Sequence, residues 1–341
     1  MSYTSTPTIQ RTFKVSACVD WIELTVNTRQ LTQFRHLQRA LRLILDLPES
    51  AREIRVEPIN AGAGNAADRF TIRLHDEPAN SYHELSRIMA ALDHKFPFAS
   101  EPEISGIEIA LDFYKRTQST AGLREMTHRL MTSIAAHGEG RGKARQYDPT
   151  INPTGKKKSL AMRYLEDGHR IDPGLMLYIG DGGDPKLGIK RDPVTHQVYF
   201  KTVDRNREAI ASDDFRARAE FTLTGAALKK HNLSYLSGLD GYRFQRLAGL
   251  LHFRVLKSLE AITRGKNIFF KATVEHYWDR TSGSVTAFPV GWLKYERYTD
   301  GKPRHGGHSK VVKHHRHSVA DEELNALVRK KFAELSKVFS T

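Results

Sequence analysis

Cysteine is almost missing from this chain: Cys18 is the only one. A disulfide within the chain is therefore impossible, and a thiolate zinc centre is excluded. Such usage fits a reducing cytoplasm. Long apolar runs are missing too. No stretch of about 18 apolar residues occurs, so no transmembrane helix is expected. The opening MSYTSTPTIQRTFK lacks the apolar core of a signal peptide, and residues 1–12 read as a disordered leader. Neither a P-loop nor a dinucleotide-binding fingerprint nor a Ser-His-Asp signature appears, and Gly180, Gly182 and Gly183 read as a turn. His305, His308, His314, His315 and His317 crowd the tail without the spacing of a structural zinc site, and read as a basic, mobile segment.

What the chain has in excess is positive charge. Lys and Arg number 53 against 39 Asp and Glu, a formal charge of +14 over 341 residues. That balance speaks to partners rather than to fold, and a polyanion, nucleic acid above all, is the expected one. Hydrophobic residues make up 39%, enough for real cores.

Periodicity gives the layout. Phe13–Val26 alternates as a strand with a register break near Asp20. Leu31–Leu47 has helical spacing and is closed by Pro48; Ile54–Pro58 and Phe70–Leu74 read as strands. Asn80 or Ser81 caps a helix running to about Phe96, and Ile104–Tyr114 is the next strand. The first third is thus β-α-β-β-α-β, a split β-α-β plan with an antiparallel sheet. Ala121–Ala136 reads as a helix, and residues 138–158, rich in Gly, Pro and Lys, as a mobile linker. Strands resume at LAMRYLE (from Leu160), GLMLYIG, QVYFKTV and RARAEFTLT, which suggests a second unit of similar layout. Beyond Gly225 the chain reads as helical: a short piece at Ala226–Asn232, a long helix at Phe244–Arg264, and a final helix at Asp321–Phe339 capped by Ser318. The expected class is α+β, with two split β-α-β-like antiparallel units (13–117 and 118–225) and a helical, basic C-terminal region (226–341) for DNA binding or oligomerisation.

Four of these runs carry residues able to do chemistry. In SGIEIALDFY, strand periodicity puts Glu108 and Asp112 on one face, about 13 Å apart on a straight strand, so both reach one ion only with curvature. Acids amid apolar neighbours are usually paired or metal-bound, and a half-solvated antiparallel strand with its acids turned outward is the other open reading. Glu220 shares its face with Arg216, Arg218 and Thr222; a cross-strand salt bridge and a metal ligand are both open readings. Carboxylates from separate strands suit Mg²⁺ or Mn²⁺. Tyr199 faces the same way as Lys201, a cation able to ease loss of the phenol proton. Tyr178 is the alternative nucleophile, and either ring could simply be packed in the sheet. Lys190 and Arg191 in the insert, Arg205, Arg216 and Arg218 are candidate DNA contacts, and Trp278 and Trp292 could stack bases or fill a core.

In order, VDWIELTV, SGIEIALDFY, GLMLYIGD, VYFK and RARAEFTL resemble the opening strand and the "RIDLAID", "LYIG", "IYDK" and "RVEFEL" strands of the replication initiation factor family, the rolling-circle initiators of plasmids and filamentous phages. The resemblance spans Val19 to Thr224. It implies a DNA endonuclease and strand transferase that nicks an origin, single-stranded or cruciform, through a tyrosine. A 5′-phosphotyrosine link and a free 3′-OH would result, in the cytoplasm of a bacterial host. It places the nucleophile on Tyr199 and a divalent metal on Glu108, Asp112 and Glu220. A host helicase and a second copy of the chain are possible partners under it, and a membrane is not. Departures are the long insert DGGDPKLGIKRDPVTHQ, Glu rather than Asp at 108, and Gly106 where the family has Arg. A non-catalytic DNA-binding protein and a relaxase-like transfer protein are the competing expectations.

Overall fold

The computed structural model describes residues 9–48, 54–62, 66–75, 77–116, 119–135, 145–147, 172–180, 192–204, 208–256 and 318–340. Alternation of apolar and polar residues along long strands makes one antiparallel sheet of an α+β fold. Its order is β2-β3-β1-β4-β8-β7-β6-β5, with β1 at Phe13–Gln33, β2 at Ile54–Pro58, β3 at Ala66–His75 and β4 at Glu103–Lys115. β5 is Arg145–Tyr147, β6 Met176–Ile179, β7 Val194–Lys201 and β8 Arg216–Thr224. In the first half, β3 separates β1 from β2, and β1 separates β3 from β4, so each helical crossover spans an intervening strand. The described strands of the second half run as a simple meander, unlike the second β-α-β-like unit expected. β4 pairs directly with β8, which fuses the halves into one sheet.

One face of this sheet is apolar. Ile107, Ile109, Leu111 and Phe113 of β4 and Ala217, Ala219, Phe221 and Leu223 of β8 join a core with α2 (Phe34–Ile44), α3 (Tyr82–Lys95), α4 (Thr120–Ser133) and the C-terminal helix Glu322–Val338. Phe332 of that last helix sets its ring 6.1 Å from Phe221. The C-terminal helix is therefore part of the sheet's own core rather than of a separate region. Among the described residues no helix is long and apolar enough to cross a membrane.

Several elements differ from expectation for identifiable reasons. Ile9–Thr12 (α1) is a helical turn, not disordered leader: Ile9 is buried and its N–H donates to Glu323 at 2.5 Å. β1 continues to Gln33, where a helix start was expected, because Thr32 and Gln33 pair with Ala67 and Ala66. Leu31, counted in the helical stripe, is 71% exposed. The linker contains β5, paired with β6; its remainder lies outside the described residues, as do the strand at Leu160 and the His-rich tail. The long helix at Phe244 is instead a 3-10 helix, Phe244–Leu250, followed by β9 (Arg254–Leu256) paired with β10 (Ser318–Ala320). Asn325 explains this. Its amide accepts from Phe253 N–H and donates to Phe253 C=O, both at 2.8 Å, and so takes the backbone groups a helix would use internally. The final helix is capped by Asp321, which accepts from Leu324 N–H, rather than by Ser318.

Candidate active site

The opposite face of the sheet gathers the polar residues of its central strands. The same alternation that buries Phe221 turns Arg218, Glu220 and Thr222 to the other side, where they lie opposite Asp112, Ala110 and Glu108 in the β4–β8 register. β7 adds Gln197, Tyr199 and Lys201, opposite Glu220, Arg218 and Arg216. β1 adds Asp20 through a bulge: Val19 pairs with Ile109 and Trp21 with Glu108, which leaves Asp20 as the extra residue. Asn80, considered as a helix cap, instead accepts from Val19 N–H at 2.7 Å and frames the bulge, while Ser81 caps α3.

Arg218 is the hub. It is 2% exposed and forks onto Asp112, with Nε to Oδ1 at 2.6 Å and Nη2 to Oδ2 at 2.7 Å. Its Nη1 donates to Asp20 and lies 3.7 Å from Glu220. The expectation that Arg218 contacts DNA therefore fails: the side chain is buried and its charge is spent on the site's own acids. Arg216 is also engaged, 3.5 Å from Asp112 and over the ring of Tyr114 at 5.4 Å. Lys190, Arg191 and Arg205 lie outside the described residues.

Arg218 binds both Asp112 and Asp20. Asp20, Glu108 and Glu220 form a cluster, each with an oxygen within 4.8 Å of the others. The expected trio of Glu108, Asp112 and Glu220 is thus not the trio brought together; Asp20 stands in the place of Asp112. An acid at the register break of an apolar strand was its signal in the sequence. Glu108 accepts from Thr222 at 2.7 Å and from Gln197 at 3.3 Å, both neutral donors. Burial, then the charge of Asp20, pushes the Glu108 carboxyl above its usual range. Burial and the neighbouring Glu108 push Glu220 well above it. Oxygen donors from three strands, too close to be ionised together without a counter-charge, are the donor set that a hard divalent cation takes. Asp20, Glu108 and Glu220 could hold such an ion.

Tyr199 donates to Glu220 Oε2 at 3.3 Å. Burial and then the Glu220 charge hold its phenol protonated, well above 10. Lys201, the expected activator, has its ammonium 3.9 Å from Asp20, and burial followed by Arg218 lowers its pKa. Tyr178 lies opposite Gln197 on the neighbouring strand and lines an open pocket of about 420 Å³ beside the cluster. Glu108, Glu220, Asp20, Thr222, Gln197, Thr195, Trp21, Arg73 and His75 complete its lining. Sequence reasoning passed over Trp21, Gln197 and Arg73, whose types carry no chemistry of their own until neighbouring strands are known.

No protein-family model matches the chain, and a search of curated proteins finds no match.

Proposed function

We propose that the protein is a DNA-nicking transesterase of the rolling-circle replication-initiator type. The observation that carries this reading is the hydrogen bond from the Tyr199 phenol to Glu220, a carboxylate that belongs to the Asp20–Glu108–Glu220 cluster. The order of strand motifs from β1 to β8 and the excess of positive charge support it.

In this reading Asp20, Glu108 and Glu220 hold a divalent cation. Such an ion, when bound, offsets negative charge on a phosphodiester oxygen. Glu220, which accepts a hydrogen bond from the Tyr199 phenol, is placed to take its proton. The phenolate oxygen forms a bond to phosphorus, the bond from phosphorus to O3′ breaks, and O3′ takes a proton from solvent. A 5′-phosphotyrosine link and a free 3′-OH result, and the strand can be rejoined by the reverse attack. Arg218 and Asp112 fix the positions of Asp20 and Glu220 without touching DNA. The site draws on both halves of the sheet, and the β-α-β-β-α-β order of the first half supports this reading.

The test is a denaturing gel of the full chain with origin-bearing single-stranded DNA and Mn²⁺. A shifted band that disappears with a chelator and with Tyr199→Phe is expected. A non-catalytic DNA-binding protein would give salt-sensitive binding and no covalent band under any metal.

A further inference from the structure

One pair in the pocket has no part in bond cleavage. The guanidinium of Arg73, on β3, lies 4.2 Å from the centre of the Trp21 ring. Trp21 lies across β4 because residue 106 is glycine: a Cβ there would come within 2.8 Å of the indole. Arg73 is oriented by Glu23, with Nε at 3.1 Å and Nη2 at 2.6 Å from Oε2. Ser105 donates to the second carboxylate oxygen at 3.0 Å, which fixes Glu23 in turn. The ring is 7% exposed, whereas the arginine side chain is 25% exposed. The outer layer of the stack is thus a planar cation, held from two sides, in the same pocket as Glu108 and Glu220.

We infer that Trp21 and Arg73 form a stacking platform for an unpaired nucleobase, which sets the adjoining phosphodiester against the carboxylate cluster. A guanidinium plane stacks on a base as it does on an aromatic ring, and its positive charge suits a polyanion. A base inside a duplex is already stacked on both sides and cannot lie on this plane. The platform therefore selects single-stranded or locally melted DNA, and it rests on the nicking reading for the chemistry at the neighbouring phosphate. Gly106, a departure from the family's arginine, makes room for the ring that carries the platform.

The experiment compares binding of labelled oligothymidylate and of an abasic strand of equal length to the full chain by fluorescence anisotropy. Base stacking is worth about 1–3 kcal/mol per base. The native chain is expected to prefer the base-bearing strand, and Arg73→Lys, which keeps the charge and removes the plane, to reduce that preference about tenfold. The fold of each variant is checked by circular dichroism, independently of DNA binding. An equal preference in native and Arg73→Lys chains overturns the platform. Trp21→Phe provides a second arm, with a smaller loss expected from a smaller ring; no loss in either variant likewise overturns it. Covalent adduct formation is scored on the same proteins. Adduct with an unchanged preference sinks the platform alone, and a lost preference without any adduct sinks the nicking reading alone.

Discussion

The two faces of β4 are built from one strand and obey different rules. Ile107, Ile109, Leu111 and Phe113 are held by volume, packed under helices from both ends of the chain. Glu108 and Asp112, which alternate with them along the strand, are held by charge balance. Four carboxylates, those of Asp20, Glu108, Asp112 and Glu220, share the face with Arg216, Arg218 and Lys201. Burial first, and then the neighbouring carboxylates, make the two glutamates hold protons more tightly. The apolar face needs no counter-charge, whereas the buried carboxylates of the polar face depend on Arg218, Arg216 and Lys201.

Breaking each face in turn separates the two. Phe221→Ala opens a cavity against Phe332 and should cost about 3–5 kcal/mol in chemical denaturation, with no recovery on adding Mn²⁺. Arg218→Met should cost a similar amount, about 3–5 kcal/mol, because it strands buried carboxylates. Here Mn²⁺ should restore part of the loss, since a cation can replace the missing charge. Equal indifference of both variants to Mn²⁺ would erase the distinction between the faces.

A smaller effect sharpens it. Both glutamate carboxyls have raised pKa values in the folded chain. Without a cation their contribution to stability is complete below the unfolded value of 4.5 and is lost as pH rises through the folded values. A cation competes with those protons, so the Mn²⁺-induced rise in Tm should grow as pH rises above 4.5. At a hundredfold excess over Kd the stabilisation is about 2.7 kcal/mol. Glu220→Gln should remove most of this response and flatten its pH dependence. Asp112→Asn should retain the response, because Asp112 lies outside the cluster.

The long strands β1, β3, β4, β7 and β8 were legible in the sequence because their alternation is a local property; the short β5 and β9 were not. So were the shared faces within single strands, Glu108 with Asp112, Glu220 with Arg218 and Tyr199 with Lys201; that the three strands present one common face came from their register. The arrangement of the acids was not legible: which carboxylates bind the arginine and which join the cluster depends on the β4–β8 register and on the bulge at Asp20. The register break could be seen, but the direction in which it aims Asp20 is set by neighbouring strands. The helix expected at Phe244 failed for the same kind of reason. Its spacing was adequate, yet Asn325, 72 positions away, captures the backbone of Phe253. Arg218 read as a phosphate contact because charge alone does not reveal burial.

The most direct test of the nicking account is peptide mapping of the covalent product formed with origin-bearing single-stranded DNA and Mn²⁺. The account predicts a 5′-phosphorylated oligonucleotide on the peptide that carries Tyr199. The same modification on Tyr178, or no modified peptide under conditions where the DNA is bound, would contradict it.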